Sequence, residues 1–186
     1  MKVTAISDLH GNLIDIEPCD TLLICGDISP LEIQRDYIQM TKWFFNEFQK
    51  WIMNLPCDRV ILTPGNHDFW FEKMITQSQT YLFNKLTILI NGEVNIYSGV
   101  DDKYYKILGY VANIMEHKSE TYPNGIPAGN IYLFDEIVEK KPKYVLSGHI
   151  HSGDHTLQEY AGTKYANVSI LDESYSIKYK PLTFEL

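Results

Sequence analysis

Four short apolar runs in this 186-residue chain each stop at a turn made of acids, histidines or an amide, and that pattern constrains the fold most. Lys2–Ser7 runs into Asp8-Leu9-His10, and Thr21-Leu22-Leu23-Ile24-Cys25 runs into Gly26-Asp27. Asp58–Thr63 runs into Gly65-Asn66-His67-Asp68, and Tyr144-Val145-Leu146-Ser147 runs into Gly148-His149-Ile150-His151. Short continuous apolar runs read as strands buried on both faces, the kind found in sheets covered by other layers. Loops at the C-terminal edge of such a sheet converge on one crevice, so residues far apart in sequence can meet there.

Between these runs the period changes. Tyr37, Met40, Phe44, Phe48, Trp51, Ile52 and Leu55 recur at three- to four-residue spacing, which predicts an amphipathic helix ending before Pro56. Ser29-Pro30-Leu31-Glu32 has the form of a capping box with proline at the first helical position. A second helix is expected from an Asn130 cap to about Lys140, stopped by Pro142. Asn91-Gly92, flanked by Thr87–Ile90 and Val94–Tyr97, predicts a hairpin, and Tyr105–Met115 a further strand. Lys118–Gly129 reads as a long loop, and the tail from Tyr165 to Leu186 is expected to add strands to a second sheet. Alternating strands and helices make the fold class α/β, in one domain over residues 1–186.

Composition narrows the partners. A net charge of −8 argues against a broad basic surface for nucleic acid, so a polymer is not the favoured substrate. The three cysteines form no C-x-x-C pair and read as reduced residues of a cytosolic protein. No run approaches a membrane span, and none has the form of a signal segment.

The turn residues share one chemistry. Asp8 and His10, like His149 and His151, are two apart, so in an extended segment both side chains of a pair face the same side. Singly, each pair also fits an ordinary loop, and Asp27 fits a turn carboxylate satisfied by backbone N–H groups. Together, Asp8, His10, Asp27, Asn66, His149 and His151 are oxygen and nitrogen donors without thiolate, which suits manganese, iron or zinc. They exceed the needs of one tetrahedral ion and suit two ions bridged by a carboxylate. Such a pair can hold a hydroxide for in-line attack on a phosphate ester.

The order D-x-H, G-D, G-N-H-D, G-H-x-H resembles the calcineurin-like metallophosphoesterase superfamily. So does the closing segment Asn167-Val168-Ser169-Ile170-Leu171-Asp172 with Lys180-Pro181. The resemblance implies a four-layer α-β-β-α sandwich and two divalent ions, manganese first, with iron or zinc as alternatives. It implies that Asp8, His10 and His151 hold one ion, that Asp27 bridges, and that Asn66 and His149 hold the other. His67 would meet the phosphate and Asp68 would orient it. The family also supplies a further histidine between the last two motifs. Here His117 stands in that interval, either as that ligand or as an exposed loop residue.

The substrate expectation is a small phosphodiester. Arginine is scarce, with only Arg35 and Arg59, and a phosphomonoester dianion is often clamped by that side chain. The Lys118–Gly129 loop and Phe69-Trp70-Phe71 would shape the leaving-group pocket, although Phe69-Trp70-Phe71 reads first as packing beneath the site. The competing readings are a non-catalytic scaffold of the same fold and a nuclease.

Overall fold

A computed structural model describes residues 1–109 and 137–186. Its first half runs through β1 (Lys2–Ile6), β2 (Cys19–Ile24), helix α1 (Tyr37–Trp43), a π-helical turn (Phe44–Phe48), helix α2 (Gln49–Asn54) and β3 (Cys57–Leu62). Helix α3 (Phe69–Met74), β4 (Gln79–Leu82), β5 (Leu86–Leu89), β6 (Gly92–Ser98) and β7 (Lys103–Gly109) follow. Beyond residue 137 come β8 (Tyr144–Ser147), β9 (Gln158–Tyr160), β10 (Thr163–Asn167) and β11 (Leu182–Glu185).

The main sheet has six strands in the order β11-β1-β2-β3-β5-β4. Strands β1, β2, β3 and β5 are parallel, and β11 and β4 close the two edges antiparallel. Because side chains alternate along a strand, the apolar runs divide between two cores. Ile6, Leu22, Ile24, Val60 and Leu62 join the core that contains Met40, Phe44, Phe48, Ile52, Trp70 and Phe71 of the helices. Val3, Ala5, Leu23 and Ile61 face a second core with Ile96 and Ala166. That second core lies against the β8-β10-β9 sheet and the β6–β7 hairpin. Helix, sheet and sheet layers of the expected α/β sandwich are thus present. Of the outer helix expected from Asn130, the described residues include a helical turn at 137–140.

The π turn follows from the sequence. Met40, Phe44, Phe48 and Ile52 are spaced by four, which in an α-helix drifts about 40° per step. A wider turn offsets that drift. All four side chains are fully buried as a result.

Three local expectations are corrected. Helix α1 is capped by Asp36, whose carboxylate accepts from the N–H groups of Ile38 and Gln39, not by Ser29. Ser29 is instead held by Asp68, described below. Asn91-Gly92 does not make a hairpin between its flanking strands: Asn91 turns at φ 49° and passes the chain from the main sheet to β6. β5 pairs instead with β4 across Phe83 and Asn84, at φ 57° and 54°. An Asn-Gly signal specifies a turn, while partner strands are chosen by the cores they cover. Finally, β11 returns to the main sheet beside β1, where Leu182 and Phe184 pack on the second core, and only β10 of the tail joins the second sheet.

Candidate metal centre

The C-terminal ends of β1, β2, β3 and β8 open onto one cavity of about 380 Å3. Asp8, His10, Asp27, His67, His149 and His151 line it, joined by Ile150, Ser152, Glu173 and Tyr175. Asn66 stands at its edge, with its Oδ1 3.1 Å from His149 Nδ1. Of the expected site residues, only His117 lies outside the described residues.

Backbone contacts bring the loops together before any side chain acts. Asp8 N–H donates to Gly26 O at 3.1 Å, and His10 N–H donates to Asp27 O at 2.9 Å, tying the β1 and β2 loops. His67 N–H donates to Asp27 Oδ1 at 2.7 Å, which ties the β3 loop to β2. His149 N–H donates to the Asp8 carboxylate at 2.9 and 3.1 Å, which brings in β8. Gly148 and Gly65 permit these approaches, since a Cβ on either would collide with the carboxylate of Asp8 or Asp27. Asp8, His10, Asp27 and His149 all have left-handed backbone, at φ 56°, 42°, 54° and 74°. Non-glycine residues in that region are uncommon and gather at functional sites.

The electrostatics call for a cation. Asp8, Asp27 and Asp68 are 1%, 3% and 2% exposed, and among the described residues no Lys or Arg pairs with them. Buried carboxylates without a counter-charge are costly. His151 Nδ1–H donates to Asp172 O at 2.9 Å, which turns the Nε2 lone pair toward Asp8 Oδ1 at 3.2 Å. Two acceptors that close are held by a proton or a metal ion between them. His10 Nδ1 is buried without a hydrogen-bond partner among the described residues. Donor atoms of Asp8, His10 and His151 all lie within 4.8 Å of one another. The first expected ligand set therefore fits a divalent ion. Asp27 and His149 line the same cavity, and Asn66 meets His149 beside it.

Asp68 takes a different place from the one expected. Its Oδ2 accepts from Gly65 N–H at 2.8 Å, and its Oδ1 accepts from the Ser29 N–H and hydroxyl at 3.0 and 2.7 Å. It braces the loop that carries His67, while the imidazole itself meets Gln34, with Nδ1 2.7 Å from Oε1. Trp70 and Phe71 are core residues, and Phe69 carries the Arg35 guanidinium 4.2 Å above its ring. Of the apolar and aromatic lining, Tyr175 and Ile150 are 43% and 51% exposed. The Tyr175 ring stands edge-on to His10 and His151, 5.1 Å from each. Sequence reading missed Ser29, Gln34 and Tyr175. Ser29 carried a cap signal, and the other two carried none.

Burial shifts the titration of His10 and Asp27 in opposite senses. His10 is lowered to about 4 from 6.5, by burial first and the neighbouring His67 second. Asp27 is raised to about 7 from 3.8, by burial first and Asp68 second. The contribution of His10 is present above pH 6.5 and is lost as pH falls through about 4. That of Asp27 is present below pH 3.8 and is lost as pH rises through about 7. A cation on Asp27 needs the ionised carboxylate. The gain in thermal midpoint on adding Mn2+ is therefore expected to grow between about pH 5.5 and about pH 8. Scanning calorimetry with and without the ion reads this; a gain independent of pH would refute it.

An α/β sandwich that gathers Asp, His and Asn donors at the ends of its parallel strands has the metallophosphoesterase architecture. The chain belongs to the calcineurin-like phosphoesterase family, whose model matches residues 1–164. Among solved structures it is similar to a novel archaeal phosphodiesterase, at 18% identity and TM-score 0.45, over 99% of this chain and 100% of that one. It is also similar to vacuolar protein sorting 29 from Cryptosporidium parvum, at 13% identity and TM-score 0.43, over 89% of this chain and 72% of that one. No curated protein matches the chain. Among the described residues, no helix is long and apolar enough to cross a membrane.

Proposed function

We propose that the chain is a phosphoesterase that hydrolyses small phosphodiesters with the help of two divalent cations, manganese first, in the cytosol. The observation that carries the reading is the convergence of Asp8, His10 and His151 donor atoms within 4.8 Å, beside buried Asp27, which no Lys or Arg pairs with among the described residues. Asp8, His10 and His151 would hold one ion and Asn66 and His149 the other, with Asp27 between them. Bound ions supply Lewis acidity toward phosphoryl oxygens and a water of lowered pKa.

The chain's own residues do the rest. In this reading His67 meets a substrate oxygen, which its place in the cavity wall outside the Asp8–His10–His151 group supports. Asp68 and Ser29 fix the loop beneath it. Among the described residues, no Lys or Arg lines the cavity, and Glu173 adds an acid to its wall. Arg59 is spent on Tyr97 O at 3.2 Å, and Arg35 lies over Phe69. A singly charged diester therefore suits this wall better than a dianionic monoester. Tyr175 and Ile150 offer an apolar rim to the leaving group, taking the part expected of Phe69-Trp70-Phe71. The Lys118–Gly129 loop lies outside the described residues.

Manganese-loaded protein is expected to turn over bis-p-nitrophenyl phosphate faster than p-nitrophenyl phosphate. The reverse order would remove the diester preference. Absence of turnover on both, with metal bound, would favour the scaffold reading, and salt-dependent binding of an oligonucleotide the nuclease reading.

A further inference from the structure

We propose that Gln34 is the positioning residue of His67: its amide fixes the imidazole with Nδ1 protonated and so leaves Nε2 as the nitrogen that serves the cavity. The assignment follows from donors and acceptors on either side of one amide. Gln34 Nε2 lies 3.0 Å from Leu31 O, and a backbone carbonyl only accepts. The NH2 group must therefore face Leu31, which directs Oε1 to His67 Nδ1 at 2.7 Å. An amide oxygen only accepts as well. The proton of that short contact belongs to the imidazole, and the neutral ring is held as the Nδ1–H tautomer.

The amide is held in turn by its segment. Ile33 N–H donates to Pro30 O at 3.2 Å and Asp36 N–H to Ile33 O at 2.8 Å, so two successive turns set the backbone around Gln34. Residues 29–36 are clasped to residues 65–69 at three points. Ser29 donates twice to Asp68, Gln34 accepts from His67, and Arg35 lies 4.2 Å over the Phe69 ring. Asp68 makes no hydrogen bond to the imidazole; its oxygens accept from Gly65 and Ser29 instead. A carboxylate in the place of Gln34 would fix the same tautomer but bring one more negative charge to a wall that already holds Asp8, Asp27 and Glu173. The neutral amide orients the ring without repelling an anionic ester.

The inference rests on the phosphoesterase reading for its consequence in turnover, and on the contacts alone for the tautomer. The test compares wild type with Gln34→Leu and Gln34→Glu, each with 15N-labelled histidine and in metal-free and zinc-loaded form. His67→Ala identifies the His67 signals. In wild type, His67 is expected to show a protonated Nδ1 and an unprotonated Nε2. Gln34→Leu removes the acceptor and is expected to give a mixture of tautomers, and Gln34→Glu to restore the single one. Turnover of Gln34→Leu should fall on the order of tenfold, the scale of one hydrogen bond, with KM unchanged. The fall should deepen as the leaving group becomes more basic, and Gln34→Glu should recover part of it, its added charge opposing the anionic ester. An Nε2–H tautomer in wild type, or an unchanged one in Gln34→Leu, overturns the proposal even if the wild type is fully active. An inactive wild type with the expected tautomers overturns the phosphoesterase reading and leaves the positioning intact. Circular dichroism of both variants verifies that the fold is retained.

Discussion

Asp8→Asn is expected to lose divalent metal and, with it, turnover by about a thousandfold or more, while remaining folded. The side chain is 1% exposed and accepts from His149 N–H with both oxygens, at 2.9 and 3.1 Å. Asparagine has the same shape and tolerates the φ of 56° found there, so the loop keeps its path. What disappears is the charge. The lone pair of His151 Nε2 would face a neutral amide at 3.2 Å, and the amide's NH2 group would meet either that nitrogen or the His149 N–H. Supporting partners of metal ligands cost about 10- to 100-fold in affinity or activity when removed, so a carboxylate inside the ligand set costs more. Elemental analysis of the purified variant, manganese titration and turnover on the diester read all three quantities. A variant with full metal content and undiminished turnover would show that Asp8 is not a ligand.

His67→Ala is expected to keep its metal and lose turnover by about 10²- to 10⁴-fold, the range of a positioned proton-transfer group. Among the described residues the ring's side-chain hydrogen-bond partner is Gln34 at 2.7 Å, and it stands edge-on to His10 at 5.1 Å without joining the Asp8–His10–His151 donor group. Its removal therefore leaves those donors where they are. The two neighbouring residues of the motif turn to different partners: Asn66 to His149, and His67 to Gln34. Manganese content equal to wild type together with slow turnover is the expected pair of results. Loss of metal in this variant would move His67 into the ligand set and change the reading of the whole loop.

The contrast between Asp8 and Asp68 shows what a local motif conveys. Both stand out in the sequence as candidates, because an acid in the turn after a buried strand is conspicuous. Their work was not equally legible. Asp8 reaches His149, 141 positions away, as the crevice argument anticipated. Asp68 turns from the adjacent histidine to Ser29, 39 positions back, because burial leaves its charge no solvent and three N–H or O–H donors converge on it there. Ser29 could not be read correctly for the same reason: its hydroxyl suits a helix cap, and a buried carboxylate competes better for it than a helix that starts at Tyr37.

The sequence by itself determined the strands β1, β2, β3 and β8, the aromatic stripe of the long helix and the donor chemistry at each strand end. These depend on side-chain type and on periods of two or about 3.6, which are local. Only the tertiary structure decided where Asn91-Gly92 leads, which sheet β11 joins, the left-handed backbone of four ligand-type residues and the tautomers of His151 and His67. Each of those depends on a partner supplied from elsewhere in the chain: a second core for β11, Asp172 O for His151, and Gln34 for His67. A hydrogen-bond donor in the sequence states what it can give, and the fold determines which acceptor it meets.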